Sequence, residues 1–144
     1  MKTINAVALF LALSVAGALP AFGADPSWVQ VDTDENSAFY YDKNATTKPR
    51  QDVVRVIARA VYTESGKADA LKTLGGGKGL ETLYESRYVY DIDCVQRQGR
   101  LLAATHMDKN GGILKSSDLG PYTDWEYLPL VTRMGLVADT ACRE

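Results

Sequence analysis

The chain has 144 residues, 46% of them hydrophobic and 24% charged, which is the make-up of an ordinary globular protein with material for one modest core. That composition excludes a disordered or collagen-like chain. Sixteen Lys and Arg stand against 18 Asp and Glu, a formal net charge of -2, so there is no concentrated basic face to neutralise phosphates and no nucleic-acid partner is expected.

Residues 1–23 read as a signal peptide: Lys2, an apolar run from Ala6 to Leu19, then Pro20 and small residues at Ala21 and Gly23. Cleavage after Gly23 suits the preference for small side chains one and three places before the cut. Cleavage after Ala24 puts Phe22 where bulk is disfavoured. The remainder, residues 24–144, reads as a single domain with 15 basic and 18 acidic residues, since the leader removes only Lys2 from the 16. No other stretch is long and apolar enough for a membrane span. No cysteine precedes Cys94, so none stands after the apolar run to carry a lipid.

Strands dominate the remainder. Trp28 to Val31 is a first short strand with Trp28 and Val31 buried, and Asp32 to Asn36 an acidic turn. Ser37 to Tyr41 suits a pleated surface through Phe39, Tyr40 and Tyr41. Asp42 to Arg50 reads as a loop ended by Pro49. The strongest strand is Val53 to Tyr62, with Val54, Val56, Ala58, Ala60 and Tyr62 on one face and Arg55 and Arg59 on the other. This pattern predicts an antiparallel sheet packed on one side and partly wet on the other.

Between Ser65 and Leu83 the periodicity weakens. The run Gly75-Gly76-Gly77-Lys78-Gly79 reads as a flexible hairpin loop, because a phosphate-binding loop needs a glycine where Lys72 stands and a Ser or Thr where Gly79 stands. Tyr84 to Val95 is the second long strand, with Tyr84, Ser86, Tyr88, Tyr90, Ile92 and Cys94 on its core side. A turn at Gly99 leads to a third strand, Leu101 to Met107. Asp108 to Gly112 carries the Asn-Gly signature of a tight hairpin, returning as Ile113 to Ser116. Trp125 to Pro129 is extended. A helix from about Thr132 to Cys142 carries Met134, Val137, Ala138, Ala141 and Cys142 on one stripe.

Two cysteines in an exported chain are read as one disulfide, Cys94 to Cys142, which ties that helix to the tyrosine-bearing face. The pair lacks the CxxC spacing and the histidine cluster of a redox or metal site. The single histidine, His106, is placed on the strand face opposite Leu101, Ala103 and Thr105 and reads as a surface residue. Asp91 and Asp93 share a strand face and are assigned to cross-strand pairing with Arg55, Arg59 or Arg97 rather than to calcium. No catalytic residue, metal site or cofactor is expected. Among eight tyrosines, those on an uncovered sheet face are the best candidate contact surface.

Trp28-x-x-Val31, Tyr40-Tyr41-Asp42, Val53-Val54-Arg55-Val56, Tyr90-x-x-Asp93-Cys94-x-x-Arg97-x-x-Arg100, Trp125-x-x-Leu128-Pro129 and the terminal Cys142 together resemble the bacterial surface-adhesin protein E family from Ser27 to Cys142. The resemblance implies an α+β fold, an antiparallel sheet of about six strands with a C-terminal helix tethered by the disulfide. It also implies an exported, non-enzymatic binding protein of the cell envelope or surface, able to form a homodimer, whose relatives attach to host or matrix proteins. The alternative is a soluble periplasmic accessory or small-ligand-binding module.

Overall fold

The computed structural model describes residues 25–144. The expected signal peptide and its cut at Gly23 or Ala24 lie outside the described residues. The fold is α+β. Its strands are β1 (Trp28–Thr33), β2 (Ser37–Asp42), β3 (Thr47–Arg50), β4 (Val53–Tyr62), β5 (Glu85–Asp93), β6 (Gln98–Met107), β7 (Ile113–Asp118) and β8 (Glu126–Tyr127). All pair antiparallel, in the order β1-β2-β4-β5-β6-β7, with β3 on β4 and β8 on β6. The six strands of the main path are the six expected.

Period-two alternation in β4 sets the two faces. Val54, Val56 and Ala58 lie opposite Ile92, Tyr90 and Tyr88 of β5, while Arg55 and Arg59 lie opposite Asp91 and Arg87. Apolar and charged residues therefore go to opposite sides. Aspartates close the turns. Asp34 accepts the backbone N–H of Asn36 and Ser37, Asp42 those of Ser27, Asn44 and Ala45, Asp93 those of Val95 and Gln96, and Asp108 those of Asn110 and Gly112. Short carboxylates suit this because they reach backbone donors two or three residues on.

Both helices, α1 (Glu64–Thr73) and α2 (Arg133–Ala141), lie on the apolar face. Met134, Val137, Ala138 and Ala141 of α2 pack with Phe39, Tyr41, Val56 and Ile92 into one core. Three attachments hold α2. At its start, Arg133 pairs with Asp32 and Asp34 and donates to Ser37. In the middle, Arg97 pairs with Asp139 at 2.7 Å and donates to the carbonyls of Leu128 and Gly135. At its end, Cys142 is bonded to Cys94, with their Cα atoms 5.7 Å apart.

Several expectations need correction. Thr47 to Arg50 is an edge strand and not loop; Pro49 is tolerated because it sits at the irregularity between Thr47 and Arg50. Glu64 to Thr73 is a helix despite lacking an apolar stripe, with Thr63 accepting the N–H of Gly66 as its N-cap. The glycine run is no hairpin loop. Gly75 has φ 87° and Gly76 donates to the carbonyl of Leu71, so the run terminates α1 in a glycine C-cap. The turn after β5 falls at Arg97, with φ 53°, and Gly99 lies within β6 opposite Ile92, where a Cβ would meet Leu128 at 2.9 Å. Trp28 is half-buried on the arginine side, whereas Val29 joins Val31 against the core.

Cys94 and Cys142 are 48 residues apart, and closing a loop of that length stabilises by roughly 4 kcal/mol in the chain-entropy model. The double variant Cys94→Ser, Cys142→Ser is expected to lose about that much in urea denaturation followed by circular dichroism. Unchanged stability would show that the cross-link restrains little.

Candidate functional site

The helices leave part of the apolar face uncovered, and two clefts open there. The first, about 290 Å³, lies between α1 and the sheet, with Tyr62, Tyr88 and His106 on the sheet side and Gly66, Ala70 and Leu74 on the helix side. Its closeness depends on Gly66, where a Cβ would stand 1.7 Å from the carbonyl oxygen of Asn36. Thr63 reinforces that seat by donating to the carbonyls of Glu35 and Asn36. The sequence signals for α1 are thus its cap, its one close-approach glycine and its terminating glycines.

A chain of hydroxyls ending at the imidazole borders this cleft. Tyr62 Oη donates to Ser86 Oγ at 2.8 Å and lies 3.4 Å from Tyr88 Oη. Ser86 Oγ is 2.5 Å from His106 Nδ1. Ser86 thus joins the Tyr62 phenol to the imidazole through one hydroxyl oxygen. Burial, reinforced by the charge of Lys115, holds the imidazole below its ordinary pKa and favours the neutral ring. Burial and the neighbouring Tyr62 push the Tyr88 phenol far above its ordinary value.

His106 is therefore not the surface residue expected; it is 5% exposed. An extra residue in β6 explains its company. Val89 pairs with Ala103 but Tyr90 with Leu101, so Leu102 is a bulge that returns Leu101 to the face of His106. Ala103 and Thr105 remain opposite. Ser86 and His106 stand at the spacing of a nucleophile and its base, yet Ser86 is 0% exposed and no carboxylate among the described residues bonds the imidazole. The Ser86 hydroxyl does not line the cleft.

The second cleft, about 760 Å³, lies beside α2. Tyr90, Leu101, Leu128 and Met134 line it, and Asp124 and Glu126 stand among them. Burial and the charge of Glu126 raise the Tyr90 phenol pKa. Neither Asp124 nor Glu126 has a cation within 4.0 Å among the described residues. Arg133, also at the cleft, is committed to Asp32 and Asp34. Alongside, Tyr127 and Leu130 are each 62% exposed and Val131 90%.

The face left wholly open is the charged one, so most of the tyrosines are not on it. Tyr41 is fully buried, and Tyr62, Tyr88 and Tyr90 lean on the core. Tyr40 is the exception, lying against Arg59. Of the paired aspartates, Asp91 meets Arg55 at 2.7 Å as expected, whereas Asp93 serves its turn. Among the described residues, no group of three or more His, Cys, Asp and Glu side chains converges as a metal site would, and no helix is long and apolar enough to cross a membrane. Sequence reasoning missed the second cleft because Leu101 reaches it only through the bulge.

The depressed imidazole pKa has a definite sign. As pH falls through 6.5, the unfolded chain takes up the His106 proton before the native state does, so stability drops on acidification below that value. An imidazole pKa below 6.5 by NMR titration, and a flatter pH–stability profile for His106→Gln, are the expected results.

Comparison of the chain with protein-family models and with curated proteins finds no match.

Proposed function

We propose that this is an exported, non-enzymatic binding protein of the cell envelope or surface, similar in role to surface-adhesin protein E, taking a segment of another protein in the cleft beside α2. The observation that carries this reading is an open groove lined by the exposed Tyr127, with Leu130 and Val131 exposed in the chain between its lining residues Pro129 and Thr132. Large apolar side chains held in water next to a concave apolar floor are characteristic of contact surfaces. Asp124 and Glu126, free of cations among the described residues, favour a partner segment that is apolar with a Lys or Arg beside it. A host or matrix protein is the class of partner the family resemblance implies. The disulfide supports export, since such bonds persist in oxidising compartments.

The smaller cleft favours a second reading, a soluble periplasmic accessory module that holds a small ligand against Tyr62, Tyr88 and His106. A volume near 290 Å³ suits a small molecule and not a protein segment.

Cell fractionation with binding to immobilised matrix proteins separates the two. The first reading predicts protein in the outer-membrane or extracellular fraction, and binding that weakens roughly tenfold or more in Leu130→Asp, Val131→Asp at unchanged thermal stability. A wholly periplasmic pool, or binding indifferent to that double substitution, contradicts it.

A further inference from the structure

On the open face of the sheet, away from both helices, three arginines crowd one cavity. Arg55 of β4, Asp91 of β5 and Arg100 of β6 are successive cross-strand partners and form a row. Arg50 at the end of β3 and Trp125 before β8 complete a cavity of about 250 Å³. The Arg50 guanidinium lies 5.7 Å from the centre of the Trp125 ring.

Charge in this cavity is out of balance. Asp91 accepts two hydrogen bonds from Arg55, at 2.7 and 3.0 Å, and that bonding raises the Arg55 pKa. Asp91 is the only carboxylate lining the cavity, and neither Arg50 nor Arg100 has an acid within 4.0 Å among the described residues. Arg100 is half-buried; its Nη2 donates to the Gly120 carbonyl and its Nε is buried without an acceptor. Holding a half-desolvated cation beside a second unpaired one is costly unless an anion joins them.

The other arginines of the same face show what balance looks like. Arg87 meets both oxygens of Glu85 at 3.2 Å, Arg59 approaches Glu85 at 3.8 Å, and the Arg59 guanidinium sits 4.2 Å from the Trp28 ring and 4.8 Å from that of Tyr40. That cluster has its own acid and rings, and since Arg59 Nε, like Arg100 Nε, is buried without an acceptor, the difference between the two clusters is the acid. Arg50 and Arg100 have no such acid.

We propose that Arg50, Arg55, Arg100 and Trp125 form a binding site for a small ring-borne carboxylate. Arginine presents paired donors that match a carboxylate. The indole supplies an apolar wall for the ring that carries it. The cavity volume suits one ring rather than a polymer segment, and the ring is either aromatic or a sugar acid.

The test is an NMR titration of the ¹⁵N-labelled protein with benzoate, glucuronate, neutral benzyl alcohol and inorganic sulfate, read at the indole N–H groups. The chain has two tryptophans, so Trp28, seated in the cluster that has its own acid, is an internal control. A saturable shift at Trp125 with benzoate or glucuronate, with Trp28 unmoved, is expected; which acid acts tells the aromatic ring from the sugar. Arg100→Gln should weaken it roughly tenfold or more, and so should Arg50→Gln, at an exposed position where substitutions usually cost little stability. An equal response to benzyl alcohol or to sulfate alone, no response to either acid, or an undiminished response in Arg50→Gln would each overturn the site.

Discussion

Everything distinctive in this molecule depends on α2 lying flat on the tyrosine-bearing face of the sheet. A helix of nine residues is too short to persist in water unaided. Here its start is clamped by Arg133, its middle by Arg97 and its end by a covalent bond to β5's last turn. Burial of Val137, Ala138 and Ala141 against Val56 and Ile92 supplies the apolar share. The ion pairs are half-exposed and contribute modestly, so they orient the helix more than they hold it.

Docking α2 at one end of the face, and α1 at the other, divides a single apolar surface into covered and uncovered parts. Tyr41 and Ile92 go under α2 and become core. Tyr62 and Tyr88 border the α1 cleft, and Tyr90 the groove beside α2. Gly135 shows how closely this is fitted, since a Cβ there would stand 2.0 Å from the Pro129 carbonyl oxygen. The segment carrying Leu128 is thereby pressed onto Gly99, and the next residues, Leu130 and Val131, are left standing in solvent.

Local signals made some elements legible in the amino-acid sequence and left others hidden. β4 was legible to the residue, because alternation of Val and Ala with Arg is a property of the strand itself. α2 and its cross-link were legible from the stripe ending in Cys142. Helix α1 was hidden because Leu71 is its one large apolar residue, and its stability lies in caps and in the approach of Gly66 to Asn36. The burial of His106 was hidden as well, since the residues that cover it come from distant stretches of chain. Bulges were the hardest case. One extra residue at Leu102 changes which side chains meet across a face, and no pattern in Leu101 to Met107 announces it.

The claim that the disulfide holds α2 on a sheet that is otherwise self-supporting is tested most directly by native-state hydrogen exchange in the oxidised and the reduced protein. The amides of Arg133 to Ala141 should lose protection on reduction, while those of β4, β5 and β6 keep theirs. Protection of α2 that survives reduction, or loss spread evenly through the central strands, would contradict it.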